Sequence, residues 1–134
     1  MSKIIAYTDG ACSGNPGGGG WAAMIDDDLQ SGRFPCTTNN AMEMFAILMA
    51  CEMCPSYSDL IVYTDSKVSI NWLYKRTQCR LDHIKPTRQA IYNTVKAKEI
   101  RLILRHVKGH NGDLCNHKVD RAAYAQAQIQ KKQN

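Results

Sequence analysis

The sequence predicts an α/β fold: a mixed five-stranded sheet, an antiparallel meander followed by parallel strands, flanked by helices. Three observations carry this. Two short β-branched and aromatic runs, Lys3 to Thr8 and Leu60 to Thr64, both continue as Tyr-Thr-Asp. The stretch between residues 14 and 37 alternates turn signals with short strand patterns. After residue 40, helical apolar spacing alternates with strand patterns. A meander first and βα units afterwards imply one sheet covered by helices on its faces.

In chain order, Lys3 to Thr8 reads as a strand and Gly14 to Gly20 as a turn. Trp21 to Ile25 is a second strand, Asp26 to Asp28 another turn, and Arg33 to Thr37 a third, edge-like strand. Asn39 and Asn40 are good N-caps; Met42, Phe45, Ala46, Met49 and Met53 then recur at helical spacing until Pro55, which predicts a helix over 41–54. Leu60 to Thr64 is the fourth strand, followed by helices over Ser66 to Lys75 and Thr87 to Lys98, the latter with Ile91 and Val95 inward. Arg101 to Val107 alternates as the fifth strand, and Leu114 to Gln130 closes the chain as an Ala-rich helix with Asp113 as its cap.

At 134 residues, with 44% hydrophobic and 22% charged, the chain suits one compact domain spanning 1–134. No apolar run approaches the roughly 18 residues of a membrane span, and the start lacks the apolar run of a signal peptide, so a cytoplasmic protein is expected. In that reducing setting the six cysteines read as free, buried small residues. The net charge is +5, but Lys67 to Lys108 holds eleven Lys/Arg against Asp82 and Glu99, a local +9. Charge alone leaves open an anionic partner and a merely solvated basic face.

Functional groups of open α/β sheets gather at the carboxyl ends of strands, and Asp9 and Asp65 both follow strands. If those strands lie side by side and parallel, the two carboxylates become neighbours, and like charges held together need a cation. Each acid also has an ordinary reading. Asp9-Gly10 suits a hairpin turn and Asp65-Ser66 a helix cap. Glu43, three residues after Asn40, suits a capping box, and Asp120 an exposed helical position.

Four blocks give the set its meaning: YTDGACSGNPGGGGWAAMI (7–25), TTNNAMEM (37–44), IVYTDSK (61–67) and VKGHNGDLCNHKVDRAA (107–123). In these blocks and their order the sequence resembles the type 1 ribonuclease H family over nearly its whole length. The resemblance implies the ribonuclease H-like fold and hydrolysis of the RNA strand of RNA/DNA hybrids, leaving 5′-phosphate and 3′-hydroxyl ends. It implies that Asp9, Glu43, Asp65 and Asp120 hold two Mg²⁺ ions, with Mn²⁺ a possible substitute, and that His110 assists. Oxygen ligands without Cys or His suit such hard cations, and a two-metal site activates a water and stabilises the leaving oxygen. A near-neutral imidazole in the loop Lys108 to Asp113 suits proton transfer or product release.

The family match also implies substrate contacts from Cys12, Asn15, Thr38, Asn39, Asn40, Lys67 and Asn116. Amides can both donate to and accept from a 2′-hydroxyl, the group that marks the RNA strand, and Thr38 matches a position near a DNA phosphate. Two departures stand out. Lys67 replaces a frequent Gln, turning an amide contact into a charge contact, and Trp72 replaces a frequent small residue and is expected in the core. The interval from Asp65 to His110 is too short for the basic helix and loop, the handle, of many members. A monomer is expected, with a hybrid as partner, no membrane and no obligate protein partner. The competing classes are a noncatalytic binding module of this fold, which the four acids oppose, and an integrase or resolvase, which the NN-x-x-E block and VKGH loop oppose.

Overall fold

The computed structural model describes residues 2–74, 82–107 and 114–134. The elements run β1 (Ser2–Gly14), β2 (Gly17–Ile25), β3 (Asp28–Thr37), α1 (Asn39–Met53), β4 (Ser58–Thr64), α2 (Lys67–Tyr74), α3 (Lys85–Lys98), β5 (Arg101–His106) and α4 (Leu114–Gln133). The strands lie in the order β3-β2-β1-β4-β5. The first two pairings, β1 with β2 and β2 with β3, are antiparallel; β4 pairs parallel with both β1 and β5. This is the expected mixed sheet.

Alternation along β2 sends side chains to opposite faces. Trp21, Ala23 and Ile25 join a core with Met44 and Ile47 of α1, Leu73 of α2 and Ile91 of α3. Ala22 and Met24 pack instead on Val119 and Ala123 of α4. One face therefore carries α1 to α3 and the other α4. Trp72 is half-buried against the larger core, as expected, and Tyr92 donates its hydroxyl proton to the Trp72 carbonyl.

Three boundaries differ from the sequence expectation for physical reasons. The first strand runs through Asp9-Gly10 to Gly14, so that dipeptide is no turn. Gly17 to Gly20 belong to β2 because side chains cannot fit there: a Cβ on Gly20 would meet the Ala123 carbonyl oxygen at 2.3 Å, and one on Gly19 the Thr37 methyl at 2.2 Å. The turn is confined to Asn15 and Pro16. Finally, α1 starts earlier than expected because Thr38, rather than Asn39 or Asn40, is its N-cap, accepting from the Ala41 N–H at 3.2 Å.

Two side chains close loose ends. The Lys98 ammonium donates to the carbonyls of Cys51, Glu52 and Cys54, occupying acceptors left over at the end of α1. On the edge strand β5, the Leu104 N–H donates to the Tyr74 hydroxyl from α2. The connection from α2 to α3 is only ten residues, 75–84, which leaves no room for a handle. Asp113 lies outside the described residues. Of the cysteines, Cys51 and Cys54 are buried as expected, but Cys36 is exposed.

Candidate active site

The site begins with strand register. Tyr7 pairs with Tyr63 across the parallel β1–β4 ladder, and their rings stack with centroids 5.2 Å apart. Asp9 and Asp65, two residues further along each chain, therefore stand at the same level at the carboxyl ends of neighbouring strands. Asp65 does not cap α2. That task falls to Ser66, whose hydroxyl accepts from the Ser69 N–H at 3.1 Å, which leaves the Asp65 carboxylate for the groove.

The third acid arrives through a glycine. A Cβ on Gly10 would lie 2.4 Å from the Glu43 nitrogen and 2.5 Å from the Met42 carbonyl carbon, so α1 approaches β1 more closely than any side chain would allow. With Thr38 as the cap, Glu43 is the fifth helical residue and cannot close a capping box. Its carboxylate turns inward instead, only 4% exposed. Ligand oxygens of Asp9, Glu43 and Asp65 all lie within 4.8 Å of one another. Asp120, half-buried on α4, stands close enough to Asp9 to hydrogen-bond with it and repel it.

This crowding shows in the protonation of the acids. Burial, reinforced by the charges of Asp65 and Asp120, pushes Asp9 up to about 7, although a hydrogen bond from Glu43 works the other way. Glu43 is pushed well above the ordinary carboxylate range by burial and by the Asp9 charge. Its Oε2 is buried without a hydrogen-bond partner. An orphaned carboxylate oxygen and mutually repelling acids are both costly, and a divalent cation relieves both at once. The donors are hard oxygens throughout, so the residues fit Mg²⁺ or Mn²⁺.

The acids open into a groove of about 300 Å³ lined by Asn39, Asn40, Glu43, Asp65 and Lys67, among others. Asn15 is tied to this wall, because its Oδ1 accepts from the Asn39 N–H at 3.2 Å. A second, mostly apolar groove of about 410 Å³ lies on the other side of the first turn of α1, with Thr38 and His83 on its rim. The Thr38 Oγ1 lies 3.3 Å from the His83 Nε2, a pairing that local sequence spacing could not reveal because 45 residues separate the two.

The fold gives two of the expected contact residues the following places. The Cys12 thiol points across the glycines of β2 and donates to the carbonyls of Thr37 at 3.3 Å and Gly17 at 3.5 Å, a bracing role within the sheet. Asn116 is buried on the first turn of α4, 6% exposed. His110 lies outside the described residues.

A sequence profile of the RNase H family matches residues 1–128. The ribonuclease H of Chlorobium luteolum is 38% identical, the alignment covering 98% of this chain and 99% of that protein. For the ribonuclease H of Thermus thermophilus the identity is 35%, with 97% and 87% covered. Among solved structures, the N-terminal RNase H domain of a Mycobacterium tuberculosis protein superposes with a TM-score of 0.83 at 19% identity, covering 99% of both chains. LC11-RNase H1, solved in complex with an RNA/DNA hybrid, superposes with a TM-score of 0.81 at 21% identity, covering 94% of this chain and 97% of that one. Both structural likenesses are likenesses of fold.

Proposed function

This chain belongs to the RNase H family and is a ribonuclease H, a hydrolase, and we propose that it cuts the RNA strand of RNA/DNA hybrids as one catalytic domain spanning 1–134. The observation that carries the proposal is the meeting of Asp9, Glu43 and Asp65 within 4.8 Å, beside a groove whose wall bears Asn39 and Asn40. The hybrid-bound state of LC11-RNase H1, which shares the fold, supports the substrate class.

Asp9, Glu43, Asp65 and Asp120 hold two Mg²⁺ ions, with Mn²⁺ as a substitute. When bound, these ions supply the positive charge that activates a water and stabilises the leaving 3′-oxygen, so that products carry 5′-phosphate and 3′-hydroxyl ends. Asp9 and Glu43, which favour their protonated forms in the crowded cluster, release those protons as the site fills. Asn39, Asn40 and the tethered Asn15 meet the 2′-hydroxyls, since an amide can donate and accept at once. Thr38 faces a phosphate of the DNA strand, and His110 moves a proton or aids product release. The protein works as a monomer in the cytoplasm.

The test is a gel assay of an end-labelled hybrid, duplex DNA, duplex RNA and single strands, with Mg²⁺ and with EDTA. Cutting confined to the RNA strand of the hybrid and to Mg²⁺ is expected. Equal cutting of duplex RNA, or cutting in EDTA, contradicts the proposal.

A further inference from the structure

The helices cover the two faces of the sheet unequally. Ala6, Leu60, Val62 and Leu104 point into the core under α1 to α3, so Ile5, Ile61 and Ile103, one residue out of phase, point to the other face. On that face α4 packs over β1, β2 and β3, and among the described residues no second helix lies beside it over β4 and β5. The register lines the three isoleucines up in one row across β1, β4 and β5. Ile5 is 45% exposed, and Ile61 and Ile103 are half-buried. Lys3, Asp59 and Arg101 form the row on one side of them, and Tyr7, Tyr63 and Arg105 the row on the other. Arg101 pairs with Asp59, while Lys3 and Arg105 make no ion pair among the described residues. An apolar row with a cationic rim thus lies open, and such rimmed patches mark surfaces that bind other molecules.

We infer that this face binds an acidic amphipathic helix of a partner protein, its apolar stripe on the isoleucine row and its carboxylates on Lys3 and Arg105. The inference goes beyond the hybrid-cutting activity and does not depend on it. Space and charge together select the occupant. Neighbouring strands lie about 4.8 Å apart, so β4 and β5 offer a strip roughly 10 Å wide, about one helix diameter, beside α4. The Lys3 and Tyr7 rows are about 13 Å apart, a length that about nine helical residues span, enough for apolar side chains at i, i+3, i+4 and i+7. A helix placed there completes the cover of the sheet. A second copy of this chain would instead set one cationic rim against another. A nucleic acid would answer the cations but leave three isoleucines against a polyanion, and the Tyr7 and Tyr63 rings already stack on each other. The groove over the acids is walled by α1 and α2, on the other face, so a docked helix leaves it open.

The experiment measures, by fluorescence anisotropy, binding of a labelled synthetic helical peptide of about sixteen residues, with leucines along one face and glutamates elsewhere. Its comparators are the same composition with the leucines scattered, a version with lysine in place of glutamate, and a single-stranded oligodeoxynucleotide. The proteins are the wild type, Ile5→Ser and the double variant Lys3→Glu with Arg105→Glu, each shown to be folded by circular dichroism. The wild type should bind the acidic amphipathic peptide at least about tenfold more tightly than the scattered or the basic one. Ile5→Ser should weaken that binding, and the double variant should lose about tenfold and gain as much for the basic peptide. A hybrid added in EDTA should not displace the peptide. Equal affinity for the amphipathic and scattered peptides, wild-type binding by the double variant, or displacement by the hybrid would overturn the inference. So would tighter binding of the oligonucleotide that the double variant loses, which makes the face a nucleic-acid surface. A dimer seen by sedimentation and abolished by Ile5→Ser would make it a self-contact and overturn the inference equally.

Discussion

Asp9 is held between two opposed demands, a place near two other acids for chemistry and a neutral form for stability. Its folded carboxyl titrates near 7 against an ordinary value of 3.8, so between those limits the folded state keeps a proton that the unfolded state has lost. Stability of the metal-free protein therefore falls as pH rises from about 4 to 7. Asp9→Asn should remove the share of that fall due to Asp9, gaining on the order of 2–4 kcal/mol at pH 7.5 in EDTA and little near pH 4, while the raised Glu43 keeps its own share. Urea titrations at the two pH values check this, and equal gains at both would refute the assigned cause. The acids themselves were legible in the sequence because each sits in a recognisable block. The cap was not, because Thr38, Asn39 and Asn40 are all suitable cap residues in a row, and only the tertiary approach of α1 chooses among them. Likewise, burial of Asn116 depends on how α4 lies on the sheet, which its local pattern does not fix.

Elements bring these residues together, and glycines set how closely the elements approach. Gly10 is the narrowest passage, since α1 backbone fills the place of its side chain. Gly10→Ala should push α1 away from β1, destabilise the protein by about 1–3 kcal/mol and lower cleavage far more than Gly18→Ala. At Gly18 a new methyl meets only flexible side chains of Gln130 and Asn134, at 3.0 Å or more. Thermal unfolding together with hybrid turnover checks the pair, and wild-type turnover in Gly10→Ala would remove the argument for close approach. Every strand and helix was predicted in type and order, because hydrophobic periodicity is a local property. The glycine run was misread as a turn for the converse reason. Its extended form is imposed by α1 and α4 packing over it, and those partners lie far away in sequence.

At the scale of the whole molecule, the local +9 between Lys67 and Lys108 is partly engaged within the fold. Lys98 is spent on α1 carbonyls, while Arg101 and Lys85 pair with Asp59 and Asp82. Three of the segment's eleven cations are thus engaged within the fold, and the connection between α2 and α3 is too short for a handle. Hybrid affinity should therefore depend only weakly on salt, with a log–log slope of magnitude below about 3. A slope near that of proteins with six or more phosphate contacts would mean that the basic segment acts as a unit. Metal binding should act on the whole fold as well. Millimolar Mg²⁺ should raise the melting temperature of the wild type, because the filled cluster exists only in the folded state, and should raise that of Asp9→Asn much less.

The central claim is that the carboxylates delivered by β1, α1 and β4 form one metal-dependent hydrolytic centre. Its most direct test is single-turnover cleavage of a labelled hybrid by the wild type and Asp65→Asn across a Mg²⁺ titration, with far-ultraviolet circular dichroism confirming that the variant is folded. Asp65 caps nothing and lies in the groove, so its loss should leave the fold intact. The expected result is Mg²⁺-dependent cleavage of the RNA strand by the wild type and a rate reduced at least about a thousandfold in folded Asp65→Asn at every Mg²⁺ concentration. Cleavage by folded Asp65→Asn at the wild-type rate and with the wild-type Mg²⁺ dependence would contradict it.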